Sequence, residues 1–222
     1  MPRRATLLLG LVLARLVEAA EPVPCTEGSF TVDAPTPALT QQVCTDANRA
    51  RDVLQRCGIV LERSIDIRLT QTLPPGCMGE YHCGNDAIVL RTPASMSMHR
   101  QPGAPLSHVS EADYFRSIVT HELAHAAYDT VSCPYPSCQA TSEYLAHALQ
   151  VMSLPEGDLK AFEATLDMQA HVPRDALNPF IYALSPDLFL RKTWIHLNQR
   201  PDACTYLSGI MAGHIIIDNP HF

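Results

Sequence analysis

The chain has 222 residues, 46% of them hydrophobic and 18% charged, with a formal net charge of -7, eight cysteines and ten histidines. That apolar fraction suffices for one domain with its own core, and it excludes a disordered or low-complexity chain. The acidic balance, without a basic cluster, argues against nucleic acid and anionic membrane surfaces as partners.

Residues 1–20 read as a signal peptide. Arg3 and Arg4 form a positive start, residues 5–14 an apolar stretch, and Val17-Glu18-Ala19 or Glu18-Ala19-Ala20 a small-residue cleavage site. The apolar run is too short to span a bilayer, so no membrane anchor is expected after cleavage. The mature chain, residues 21–222, then carries 13 basic and 22 acidic side chains, a net charge of -9. All eight cysteines lie beyond the cleavage site, and an even count in an exported chain points to disulfides and to a secreted or periplasmic location. Cys77 with Cys83, and Cys133 with Cys138, are close enough in sequence to staple local loops.

An extended stretch is expected around residues 29–32. Residues 38–57 have helical spacing through Leu39, Val43, Ala47, Ala50 and Leu54, with Gly58 at the end. Residues 65–73 alternate like a strand, and 87–90 form a short apolar strand after the turn Gly84-Asn85-Asp86. With three prolines and one glycine, residues 92–109 read as a loop.

The next helix is expected over 111–128. Ser110 and Asp113 supply an S-x-x-D capping pattern, and Tyr114, Ile118, Val119, Leu123, Ala126 and Ala127 an apolar surface. Inside it runs His121-Glu122-Leu123-Ala124-His125. Residues four apart on a helix sit one turn above each other, about 6 Å along the axis, so His121 and His125 can grip one metal ion. Glu122, rotated by about 100°, can serve as general base without being a ligand. Burying these three polar groups in an apolar helix is costly unless a metal satisfies them.

Cys133 to Cys138 spans a turn, and a second helix follows over 141–152 with Leu145, Leu149 and Met152 as its apolar positions. Glu143 and His147 share one face of it, and the 18 residues between His125 and Glu143 allow an antiparallel return beside the first helix. Further helices are expected over 157–166, 187–197 and 202–211. His171, His196, His214 and His221 can each approach the site, with nothing in the sequence to choose among them.

The metzincin extension is absent, because Tyr128 and Val131 stand where its Gly and His belong. The motif over 110–152 instead resembles the gluzincin metallopeptidases, whose two His and a Glu from a second helix bind zinc. The helix pair also resembles that of an uncharacterised family of secreted bacterial proteins. The gluzincin resemblance implies Zn2+ as cofactor and Glu143 as third ligand. His147 departs from the acidic residue often found there, and stands as a hydrogen-bond support for a ligand, an alternative ligand, or a transition-state donor. Tyr128 and Tyr144 are further donor candidates, and Asp129 a group to orient a ligand histidine. The implied fold is a compact zincin-like α+β domain over 21–222. Its upper half, about 21–129, would hold a small N-terminal sheet with helices and the metal-binding helix, and its lower half, about 130–222, would be mainly helical. Residues 87–91 become the expected cleft edge where extended substrate adds. The function implied is a secreted zinc metallopeptidase acting on peptide or protein substrate through a zinc-bound water activated by Glu122. The alternative is a non-catalytic zincin-like protein whose metal is structural or whose cleft binds a protein partner.

Overall fold

The structure, a computed structural model, describes residues 21–27 and 29–218; the expected signal peptide and His221 lie outside them. The described chain is α+β. A five-stranded mixed sheet has the order β1-β2-β3-β5-β4, where β1 is Val23–Pro24, β2 Phe30–Asp33, β3 Ile65–Thr70, β4 Gly79–His82 and β5 Ala87–Arg91. β2, β3 and β5 run parallel, while β1 and β4 lie antiparallel at the two edges.

β5 is therefore an interior strand, contrary to the cleft-edge expectation. Its run Ile88-Val89-Leu90-Arg91 is buried throughout, as a strand flanked on both sides requires. The edge facing the cleft is β4, which the sequence pattern did not disclose. Arg91 fastens the segment leading into it. Its buried guanidinium donates to the carbonyls of Gln71, Leu73 and Cys77.

α1 (Pro37–Arg56) starts at Thr36, whose hydroxyl accepts from Leu39 N, and its apolar face covers the sheet. The stretch expected as a loop contains α2 (Pro93–His99). Thr92 caps it and Pro93 occupies the first turn, where its missing N–H costs nothing. A threonine-proline pair thus opens a helix here rather than breaking one.

α3 (Glu111–Tyr128) has the expected bounds, and Ser110 Oγ accepts from Asp113 N as the capping pattern requires. It belongs to both apolar cores. Phe115, Ile118, Val119, Leu123 and Ala126 pack with the sheet and α1, while Ala124, Ala127 and Tyr128 join the helical core below. That lower core is built by α4 (Gln139–Met152), α5 (Glu156–Glu163), α6 (Pro179–Leu184), α7 (Pro186–Asn198) and α8 (Ala203–Met211). α6, with Asn178 as cap and Pro179 at its start, was not expected.

Cys25–Cys44, Cys57–Cys204 and Cys133–Cys138 are disulfides. These bonds place the chain in an oxidising compartment. Cys77 and Cys83 are free, against expectation. The extended strand β4 stands between them at about 3.3 Å per residue, which holds them beyond the roughly 7 Å a disulfide tolerates. Among the described residues no helix is long and apolar enough to cross a membrane.

Candidate metal centre

α3 and α4 lie against each other, and the turn between them is closed by Cys133–Cys138. The helical repeat puts His121 and His125 on the face of α3 that meets α4, and Glu143 on the facing side of α4. His121 Nε2 is 3.1 Å from His125 Nε2 and 3.5 Å from Glu143 Oε2, and His125 Nε2 is 3.7 Å from Glu143 Oε1. Donors around a tetrahedral ion with bonds of about 2.0–2.1 Å sit about 3.4 Å apart. The triangle fits such an ion, and its nitrogen and oxygen donors suit a divalent transition metal.

Each ligand imidazole is held from behind. His121 Nδ1 is 3.1 Å from Gln150 Oε1, and His125 Nδ1 is 2.8 Å from Ser142 Oγ, so Nε2 of both rings faces the centre. Burial draws His125 down to about 4, with the charge of His121 acting the same way. Burial also opposes protonation of His121, but a hydrogen bond to Glu143 and the charges of Glu122 and Glu143 outweigh it and raise that ring overall. For Glu143 burial favours the neutral acid, yet the His121 hydrogen bond and the surrounding imidazoles hold the carboxyl well below the usual range.

Glu122 is 5% exposed and faces β4. Burial raises its carboxyl to about 7, with the charges of Glu143 and Glu80 adding to the shift; His121 and the Tyr81 backbone N–H, which donates to the carboxylate, oppose it. The strand comes this close because residue 79 is glycine. A Cβ there would stand 2.6 Å from Glu122 Oε1 and 2.8 Å from Leu90 Cδ2.

The other expected site residues divide. His147 joins the cluster, with Nε2 3.7 Å from Glu143 Oε2. Tyr144 does not. A residue one step from Glu143 points about 100° away round the helix, and its fully buried ring is paired through the hydroxyl with His196 Nδ1 at 2.8 Å. Asp129 touches no ligand histidine either. Its carboxylate accepts from Tyr81 Oη at 2.9 Å and Gly84 N at 3.0 Å, so it ties the end of α3 to β4 and the turn that follows. Tyr128 lines the cleft but packs into the lower core, with no hydrogen bond to His121, His125 or Glu143. His171 and His214 are exposed and line no part of the cleft, and His196 is committed to Tyr144.

Sequence reasoning missed Gln150, Ser142, Gly79 and Tyr182. Gln150 was legible in principle, since it lies seven residues after Glu143, two turns along the same face of α4. Tyr182 had no such signal. It comes from α6 and lines the cleft, where burial first and then the charges of Glu143 and Glu122 keep the phenol protonated. A cleft of about 1230 Å3 opens over the cluster, with Gly79, Glu80 and Tyr81 of β4 and Tyr182 of α6 in its lining.

The model of DUF6639, a family of unknown function, matches residues 30–220. No curated protein and no solved structure matches the chain.

Proposed function

We propose that this chain, which belongs to the DUF6639 family of unknown function, is an exported zinc-dependent peptidase of the gluzincin type. The observation that carries the reading is the conjunction of three converging donors, His121, His125 and Glu143, with a buried carboxylate beside them that is not one of the three. A purely structural metal site has no use for such a base. The orphaned buried nitrogen of His147, 3.7 Å from Glu143, further favours a cation at this place.

When bound, zinc supplies a Lewis acid that polarises a carbonyl and acidifies water. The residues do the rest. Glu122 takes a proton from the attacking water as the new C–O bond forms, and gives it to the amine nitrogen as the C–N bond breaks. Burial, which disfavours the charged carboxylate, strengthens Glu122 as a proton acceptor. The Tyr81 N–H and the missing side chain at residue 79 hold that carboxylate against β4. β4 has β5 on one side alone, so its outer edge, apart from the Tyr81 N–H that Glu122 takes, offers backbone groups to an extended peptide. This transfers to β4 the role expected of residues 87–91. The Tyr182 hydroxyl, protonated and in the lining of the same cleft as Glu122, is a donor available to a developing oxyanion. Export through a signal peptide at residues 1–20 fits the three disulfides.

The experiment is zinc content and peptide hydrolysis of the mature chain beside Glu122→Gln and Glu143→Ala. Glu122→Gln retains one zinc and loses hydrolysis by on the order of 10²-fold or more, and Glu143→Ala loses the metal. Undiminished hydrolysis in Glu122→Gln removes Glu122 from its assigned role, and a zinc-loaded wild type without hydrolysis removes the peptidase reading.

A further inference from the structure

His147 follows Glu143 by one turn of α4, and its ring centroid lies 4.7 Å from that of His121, the same separation as between His121 and His125. The side chain is buried, with 9% exposure for the residue, and its Nε2 has no hydrogen-bond partner. The hydrogen-bond chain behind the ring decides where the proton sits. Ser117 Oγ donates to Tyr114 O at 2.8 Å, so toward Gln150 Nε2, 3.4 Å away, it acts as acceptor. That turns Gln150 Oε1 toward the histidines, where it accepts from Nδ1 of His121 at 3.1 Å and from Nδ1 of His147 at 3.3 Å. A neutral imidazole with its proton on Nδ1 carries a bare lone pair on Nε2.

His147 thus aims a lone pair toward Glu143 Oε2, 3.7 Å away, from a nitrogen that solvent does not reach. Two acceptors facing each other there repel, and a cation held between them converts the repulsion to attraction.

We propose that His147 is a fourth protein donor to the metal, so that three imidazoles and one carboxylate surround it. The inference rests on the metal site of the reading above and deepens it. Gln150 then acts as the common brace, because one carbonyl oxygen sets the tautomer of two ligands at once. With Nε2 committed as a lone pair, His147 is not a donor to an oxyanion, which leaves that role to Tyr182. Zinc at catalytic sites can expand to five donors as the reaction proceeds, so a fourth protein donor leaves room for substrate.

X-ray absorption spectroscopy on the mature protein loaded with one zinc per chain counts the imidazoles directly and requires no activity. Three are expected in the wild type and two in His147→Ala, whose zinc affinity in chelator competition falls on the order of 10²-fold. Two imidazoles around bound zinc in the wild type overturn the inference while the three-ligand site stands. A wild type that takes up no zinc overturns the metal reading and this inference together.

Discussion

A single missing methyl group decides how close the β-sheet comes to the base. The nearest atoms to a Cβ at residue 79 would be Glu122 Oε1 and Cγ, at 2.6 and 2.8 Å, well inside any real contact. Gly79→Ala must therefore move Glu122 or push β4 outward. Because misplacing a reacting group by about 1 Å costs on the order of 10²-fold in rate, the expected outcome is a drop of that size in kcat. Zinc content should stay at the wild-type level, since His121, His125 and Glu143 do not touch residue 79. Steady-state kinetics with metal analysis checks both, and unaltered kcat would show that Glu122 is not held by the strand. The same scale separates Tyr144 from Tyr182. The first sits next to Glu143 in sequence and points into the core, while the second lies 39 residues beyond it and lines the cleft.

The helix that carries Glu143 and His147 has no cap of its own. Cys138, at its N-terminus, makes no side-chain hydrogen bond, so the first amides of α4 need partners from elsewhere. Asp218 supplies them from the other end of the chain. Its carboxylate accepts from Ala140 N at 3.0 Å, from Thr141 N at 2.9 Å and from Thr141 Oγ1 at 2.6 Å. A negative group at a helix N-terminus is also favoured by the helix dipole. Asp218→Ala is expected to lower stability by about 1–2 kcal/mol, the usual cost of losing a cap. Urea denaturation measures it, and a change below a few tenths would show that water replaces the carboxylate. In the metal-loaded protein the loss should appear as weaker zinc retention as well, because Glu143 follows directly on the first turn of α4.

Across the whole molecule the disulfides work at different ranges. Cys133–Cys138 closes a separation of 5 residues, Cys25–Cys44 one of 19 and Cys57–Cys204 one of 147, which ties the end of α1 to α8. Loop-closure entropy in the unfolded chain grows with the logarithm of that separation, giving about 2 kcal/mol for the shortest bond and about 5 kcal/mol for the longest. Replacing Cys57 and Cys204 by Ser is thus expected to shift the denaturation midpoint further than replacing Cys133 and Cys138. Equal shifts would mean that the unfolded chain is already compact enough to bring its ends together.

How much of this was legible depends on the range of the interaction concerned. α1 and α3 were visible with their ends because capping, helical spacing and a terminal glycine act within a few residues. His121, Glu122 and His125 were visible for the same reason, as one helical turn sets their relative placement whatever surrounds it. The two helices of the metal site and their antiparallel return could be inferred from periodicity and a short connection. β4 was hidden, because Gly79-Glu80-Tyr81-His82 has no apolar alternation, and its strand form depends on pairing with β5. The reading of residues 87–91 as an edge failed on the same ground, since position in a sheet belongs to the pairing of distant segments. The sequence by itself determined the α+β composition, the helix over 111–128 and the placement of His121, Glu122 and His125 along it, all of them consequences of local backbone geometry. Only the tertiary structure decided that β4 faces the base, that Tyr182 and not Tyr144 overlooks the cleft, that Asp218 caps α4 and that Cys57 finds Cys204. Each of those joins residues far apart in the chain, and it is packing of the whole core that brings them within reach.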